Sequence, residues 1–547
     1  MMSLKRIALA GSVLAALFAA LLEQRWALSR LTSIGLAVSL IIVQTSVIWC
    51  YHAFIYPRFV SPLRDIPMPP GASAWFGHTF MDIRKGKPQG TSLRKWPNSV
   101  PNDGIVRFLD LFRIEKLIPV SPAALADVLA TKCYDFEKPE HFRSGSSGLI
   151  LGHGILFAEG DLHKRQRKQL NPAFTFRHIK DLFPTYWKVS VDMLKAIEAQ
   201  KDKETGISIV EPNDWSSRVT LDILGQAGLG RDFDALANPD NKVTKAYRDV
   251  FKQGITDILF QVAEVLISPT LVVHLPFERN RTLRKNMQTV RDVCAEIIQE
   301  KQQKPQADDV PTTDILSAIL SSTTVDFTQN EMVEQLVTFL VAGHETTAAA
   351  LAWAVFIICK HPDMQSRLRE EVWAHLPKSA WEDRDAVVAS SDFDAMPYLQ
   401  AFCNEILRFY PPVPATMRHT AVDTTIAGHP VPKGTDLLLA PWAVNVSAAL
   451  WGPDAGEFKP ERWLESASGG CKSNYANLTF LHGPRSCIGQ SFAKHEFVCL
   501  VGAWVGRFET KFNVVEGWKE PVVDMMSGIS QRPTRGWKVE VKTIERD

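Results

Sequence analysis

Apolar positions divide the chain into an N-terminal part without charge over long stretches and a body with helical periodicity. Residues 7–22 form an uncharged run of 16, and residues 31–56 contain no Asp, Glu, Lys or Arg across 26. At about 1.5 Å per helical residue the second run reaches roughly 39 Å, beyond the ~30 Å hydrocarbon core, whereas the first reaches only about 24 Å. Residues 1–56 therefore read as a membrane anchor, with a span at about 31–56 and a second candidate span at 7–22. The shorter run also suits the apolar region of a signal peptide. Lys5 and Arg6 before the first run, and Arg58 and Arg64 after the second, favour cytosolic placement of both ends. Residues 57–71, with Pro67-Met68-Pro69-Pro70-Gly71, read as a stiff linker.

From 72 to 547 the pattern is that of one large, mainly α domain with a small β portion. Met287, Val290, Cys294, Ile297 and Ile298 recur at three- and four-residue spacing and form a stripe ending before Pro305. Thr328-Gln329-Asn330-Glu331 has capping-box spacing, and no proline follows until Pro362, so a helix of some 48 Å is predicted over 329–360. It is apolar nearly all round, broken only by Gly343-His344-Glu345-Thr346-Thr347. A carboxylate at a bilayer centre costs roughly 2.5–3.5 kcal/mol, so a core helix is the better reading than a membrane span. Residues 424–426 and 437–440, around Gly428, Pro430, Pro432 and Gly434, predict a small turn-rich sheet.

Composition narrows the function classes. The 46% hydrophobic and 22% charged residues exclude a disordered chain, and a formal charge of +1 gives no electrostatic case for nucleic acid. Eight scattered cysteines without a CxxC pair disfavour zinc ribbons and disulfide scaffolds and suit a reducing compartment.

The strongest chemical signal is Phe480-Leu481-His482-Gly483-Pro484-Arg485-Ser486-Cys487-Ile488-Gly489. A loop delivers Cys487 to the start of an amphipathic helical segment, 490–501, where amide N–H groups and the helix dipole favour a thiolate. Gly483 and Gly489 would let a flat ligand approach the backbone, and Arg485 can pair with a carboxylate on it. Haem meets these requirements: iron for sulfur, propionates for arginine. Phe480, Gly483, Arg485, Cys487 and Gly489 resemble the haem loop of the cytochrome P-450 family, the haem-thiolate monooxygenases.

Further segments resemble that family in its order, across about residues 60–540. Ala342-Gly343-His344-Glu345-Thr346-Thr347 is similar to the oxygen-binding segment, where Gly343 would leave room for a diatomic ligand, Thr346 would open a gap in the helix and Glu345 would feed protons. Glu405 and Arg408, 82 residues before Cys487, with Arg462 in Pro460-Glu461-Arg462-Trp463, resemble a buried structural Glu-Arg-Arg network. His163 and Arg167, at i and i+4, resemble the helix crossing a haem edge, although the family often has tryptophan at the His163 position. Arg418 matches a further propionate-binding arginine, and Lys164, Arg165 and Lys168 could dock an acidic redox partner. Gly225-Gln226-Ala227-Gly228-Leu229-Gly230 has GxxGxG spacing, not the dinucleotide GxGxxG.

The resemblance implies the cytochrome P-450 fold, haem ligated by Cys487, and electrons from NADPH through a separate reductase. It implies insertion of one oxygen atom from O₂ into a lipophilic substrate, by hydroxylation or epoxidation, at an endoplasmic reticulum membrane with the catalytic domain cytosolic. Fungal microsomal members that act on terpenoid or polyketide skeletons are the most similar. A haem-thiolate isomerase or dehydratase acting without O₂, a fatty-acid hydroxylase and a non-catalytic haem sensor remain as alternatives. Substrate contacts are expected at 340–346, 413–416 and 527–529, which hold no ionisable residue apart from His344 and Glu345, with residues 258–267 as a candidate roof.

Overall fold

The computed structural model describes residues 30–88, 90–251, 255–303, 314–322, 326–524 and 530–546. The run at 7–22 and the expected contact stretch 527–529 lie outside them. A helix over Arg30–Cys50 (α1) continues as a π-helical stretch, Tyr51–Val60. Its apolar part, Ile34–Val60, is long enough to cross a membrane, and only its last turns pack on the body, where Ala53 and Pro57 are buried. The segment read as a linker is instead packed on the body. Leu63 and Ile66 are buried with Leu117 and Leu437, and Arg107 donates to Pro57 O (3.0 Å) and Arg64 O (3.1 Å). Proline-rich backbone with free carbonyls accepts from arginine without needing N–H partners.

Five strands form one sheet beside the helices: Ile105–Leu109 (β1), Glu115–Pro119 (β2), Phe136–Glu137 (β3), Thr416–Thr420 (β4) and Asp436–Leu439 (β5). Their order is β1-β2-β5-β4-β3, antiparallel except for β2 against β5. Thr424–Ile426 pairs separately with His429–Val431 through Ala427 (φ 48°) and Gly428 (φ 88°), a two-residue turn with both residues left-handed. The expected single turn-rich sheet is therefore two: the hairpin, and β5 in the main sheet. A third sheet joins Ile207–Val210, Phe508–Phe512 and Val539–Thr543.

The helices that build the centre are Gly145–Leu151 (α2), Gly160–Leu170 (α3), Phe183–Glu198 (α4), Pro212–Ile223 (α5), Ile255–Leu266 (α6), Glu278–Gln303 (α7), Gln329–Lys360 (α8), Pro362–His375 (α9), Pro397–Phe409 (α10) and Gln490–Arg507 (α11). The expected stripe of α7 is buried from Met287 to Ile298. α8 begins at the expected box, with Glu331 N donating to Thr328 Oγ1 (3.2 Å) and Thr328 N to Glu331 Oε2 (2.9 Å). It runs through the core against α5, α7 and α11, which is why its sequence is apolar on every side. α11 is longer than expected and buried almost throughout from Glu496 to Gly506, so it is a core helix rather than an amphipathic one.

Candidate functional site

The centre of the molecule holds a cavity of about 880 Å³ between α8, the 478–489 loop, α3 and the chain following α10. Cys487 opens into it. The loop is closed by Cys487 N donating to Phe480 O (2.9 Å) and Ser486 N to Gly483 O (3.1 Å), and Arg167 Nη1 reaches Ser486 O (2.5 Å). Gly483, at φ 75°, is required by packing: a Cβ there would fall 2.0 Å from Leu129 O. A Cβ on Gly489 would meet nothing within 4 Å, so only the second of the two glycines leaves open space of the expected kind. Burial raises the Cys487 thiol above its ordinary value despite the Gly489 N–H and Arg167. The helix terminus alone therefore does not make a thiolate; a bound metal cation would.

Beneath this loop lies the expected ion-pair network. Arg408 clasps Glu405 through Nε–Oε2 (2.8 Å) and Nη2–Oε1 (2.7 Å), both side chains fully buried. Arg462 Nε adds a third contact to Glu405 Oε1 (3.2 Å), and Trp463 Nε1 donates to Oε2 (3.0 Å). Arg408 also donates to Asn445 O, Ala455 O and Glu457 O, each at 2.8 Å. Asn445 then holds Leu478 N (2.8 Å) and Thr479 Oγ1 (2.9 Å), immediately before Phe480. The network thus sets where the cysteine loop begins.

One wall of the cavity is strongly cationic. Lys138, Arg167, Arg418 and Arg485 line it with His163. Glu159 is the one carboxylate in direct contact among the described residues: it pairs with Arg485 Nη2 and accepts from Lys138 N (2.9 Å). That pairing is charge to charge, because neither Nε nor Nη2 of Arg485 has a well-aligned hydrogen bond. Burial and the neighbouring Arg485 push Arg418 down to about 10, and burial with Arg418 pushes Lys138 well below the ordinary lysine range. His163 falls to about 4, from burial first and Arg485 second, so its imidazole is neutral at pH 7. Tyr134 Oη lies 3.3 Å from His163 Nδ1, with Arg485 over the Tyr134 ring at 5.1 Å. Four cations against one carboxylate suit a ligand bearing two carboxylates, and haem fits the wall together with Cys487. Lys138, Glu159 and Tyr134 carried no motif. Their only sequence signal is proximity to Cys133 and to Gly160, the first residue of α3.

Across from the loop, α8 remains helical through 342–347. Thr346 Oγ1 donates to Ala342 O (2.9 Å) within the helix, so the expected gap is not open. The absent side chain of Gly343 is matched by Leu224, whose Cδ2 would lie 2.9 Å from a Cβ. It is Ala342 that is exposed to the cavity. Glu345 is buried and held from both sides: Ser530 Oγ donates to Oε1 (2.9 Å), and Arg532 Nη2 lies 2.5 Å from Oε2. Arg532, which the sequence reading missed, also donates to Ser217 Oγ (3.0 Å).

Of the expected substrate contacts, 413–416 line the cavity, as do Val341, Ala342, Gly343, Glu345 and Thr346 with Phe339 just before them, whereas Leu340 and His344 do not. Beyond this apolar part the wall changes character, with Ser146, Asp257, Gln261, Glu264, Arg279 and Asn286. Ionisable groups therefore line the cavity outside the expected contact stretches, at the cationic wall and again here. Of the expected docking cations, Arg165 is engaged by Glu331 and Lys164 by Asp161 (2.8 Å).

The family model for cytochrome P450 matches residues 105–536. A cytochrome P450 monooxygenase of Aspergillus fumigatus, sphH, is 43% identical over 466 residues, covering 84% of this chain and 85% of its own. A cytochrome P450 monooxygenase of Gibberella moniliformis, FUM15, is 37% identical over 552 residues, with 90% of each chain covered. ALT8 of Alternaria alternata, with the same description, is 37% identical over 560 residues, covering 91% of this chain and 92% of its own.

Proposed function

Because the chain belongs to the cytochrome P450 family, we propose that this monooxygenase holds a haem by Cys487 and oxidises a lipophilic substrate lying over it. The observation that carries the reading is that one cavity joins an accessible sulfur to a wall of four cations with a single carboxylate among them. Cys487 Sγ would hold the iron, with Phe480 and Gly489 beside it. Arg167, Arg418, Arg485 and Lys138 would hold the two carboxylates, and neutral His163 would donate a hydrogen bond to one. Bound there, haem supplies the iron at which O₂ is activated.

The chain's own part is to orient the substrate, exclude water and meter protons. Phe174 and Phe339, packed edge to face at 5.5 Å, with Val413 and Ala415, give an apolar wall that orients a hydrocarbon skeleton. Thr346 Oγ1 can turn from Ala342 O toward a water in the cavity. Glu345, anchored by Arg532, places a carboxyl group one residue away through which protons can pass. Glu405, Arg408 and Arg462 hold the loop and do no chemistry.

Electrons would come from a separate NADPH-dependent reductase. A cleft of about 600 Å³ lined by Tyr134, Lys164, Arg167, Lys168, Gly483 and Pro484 adjoins the cysteine loop and suits an acidic partner surface. Residues 1–56 would anchor the enzyme in the endoplasmic reticulum membrane, with the domain from about 72 onward cytosolic. Leu259, Leu266, Leu271 and Phe277, all more than half exposed, would rest against the lipid. The substrate class is a terpenoid or polyketide intermediate of secondary metabolism. Turnover with reductase, NADPH and isotopically labelled O₂ tests this: one labelled oxygen atom in the product supports it. Product formed without O₂ overturns it in favour of an isomerase or dehydratase.

A further inference from the structure

The chain passes from α1 into the body without a joint. Cys50, between α1 and the π-helical stretch Tyr51–Val60, keeps helical angles (φ −58°, ψ −43°), so one continuous rod runs from Arg30 to Val60. Pro57 lies inside the rod and can give no N–H to the Ala53 carbonyl four residues back. Arg113 Nε donates there instead (2.5 Å), and Arg107 Nη1 donates to Pro57 O (3.0 Å). Both arginines are buried, and Arg107 is held in turn by Glu115 (2.8 Å).

Arg113 also closes a ring of contacts. Its Nη1 donates to Ser73 O (3.0 Å), and its guanidinium stands 5.1 Å from the centre of the Phe54 ring. Phe54 meets Trp49 edge to face at 5.5 Å, and Trp49 stacks on Trp75 at 4.2 Å with 10° between the planes. Trp75 stands on the 73–77 turn, which Ser73 N closes onto Gly77 O (2.7 Å). That turn is pressed so closely on β1 that a Cβ on Gly77 would fall 2.2 Å from Leu109 O. One guanidinium thus grips both the rod and the turn that carries Trp75. Placing it there strains the backbone: Phe112 and Arg113 hold left-handed angles, φ 56° and 62°. Such angles cost free energy in non-glycine residues and persist only where the surroundings over-determine them.

We infer that the rod is a rigid stem rather than a tether, and that the Arg113 clasp with the Trp49–Trp75 stack fixes the tilt of the catalytic domain on the bilayer. The inference rests on the reading of residues 1–56 as a membrane anchor and adds how that anchor holds the domain. A flexible linker would let the domain swivel. Here, turning the rod breaks charge-assisted hydrogen bonds to two carbonyls and unstacks two indoles. Ile55, Phe59, Trp75 and Phe76 are exposed at the foot of the stem, where apolar and aromatic side chains suit the membrane–water boundary.

The test uses the full-length, haem-loaded enzyme in oriented phosphatidylcholine bilayers, with ferric haem as the orientation probe. The electron paramagnetic resonance signals of the wild type should vary strongly as the film is turned in the field, as one fixed tilt requires. Two changes should flatten that dependence: Arg113→Ala with Trp75→Ala, which opens the clasp, and a tetraglycine insert between Cys50 and Tyr51, which frees the rod and leaves the body's own contacts in place. Neither Arg113 nor Trp75 lines the cavity, so the ferrous carbon monoxide spectrum of both should match the wild type and report an intact body. A flat wild-type profile in protein that resists carbonate extraction overturns the stem, and so does a wild-type profile kept by either variant. Release of the wild type by carbonate would instead sink the anchor reading itself.

Discussion

Arg532 and Glu345 form a buried ion pair, Nη2 to Oε2 at 2.5 Å, which ties the strand at Arg532–Pro533 to the middle of α8. The carboxylate expected to carry protons is thereby also a structural group. Removing one member of a buried pair leaves an uncompensated charge and costs about 3–5 kcal/mol. Glu345→Gln should therefore lower both thermal stability and turnover. The double variant Glu345→Gln/Arg532→Met should recover much of the stability and none of the turnover. Recovery of both would assign Glu345 a structural role alone.

Thr346 is bonded inside its helix, and losing its hydroxyl removes no tertiary hydrogen bond among the described residues. Thr346→Ala should keep haem content and substrate binding while diverting reducing equivalents to peroxide. The ratio of product to NADPH consumed measures this, with a severalfold fall expected and an unchanged ratio contradicting the role.

Glu405 is fully buried and accepts from Arg408, Arg462, Trp463 and Lys459 N. Its loss strands two arginines, at a cost comparable with much of a domain's 5–15 kcal/mol. Glu405→Ala should yield no haem-loaded protein on expression, whereas Arg462→Lys, which keeps a cation, should yield a reduced amount. Haem content per polypeptide is the readout.

Tyr134 keeps its proton, since burial raises it above its ordinary value, and so can donate to His163 Nδ1 and leave Nε2–H toward the cavity. Tyr134→Phe should then speed haem loss to an apoglobin scavenger about fivefold, the equivalent of ~1 kcal/mol. In a His163→Gln background, where the amide donates without tautomer control, the same change should have no effect. Equal effects in both backgrounds would remove Tyr134 from this role.

The helix over Gln329–Lys360 and the Glu405–Arg408 pair were legible because their determinants are local: a capping box, an unbroken apolar run, and two residues at i and i+3. Arg532 was not, because its partner lies 187 residues away and β-strand ends carry no motif for a salt bridge. Lys138 and Glu159 were hidden for the same reason; only the fold brings them to Arg485. Gly483 was located from sequence without its packing reason, and Gly343 lines the cavity but also packs against Leu224; such close approaches to Leu129 and Leu224 are tertiary facts. The polar wall was missed because α6 was read for its apolar residues, of which Leu259 and Leu266 face outward.

The claim that Cys487 ligates haem iron as a thiolate is tested most directly by the ferrous carbon monoxide spectrum of the wild-type enzyme beside that of Cys487→Ala. The wild type should show the strongly red-shifted Soret band of thiolate ligation, and the variant should lose it. A variant that retains that band would contradict the account.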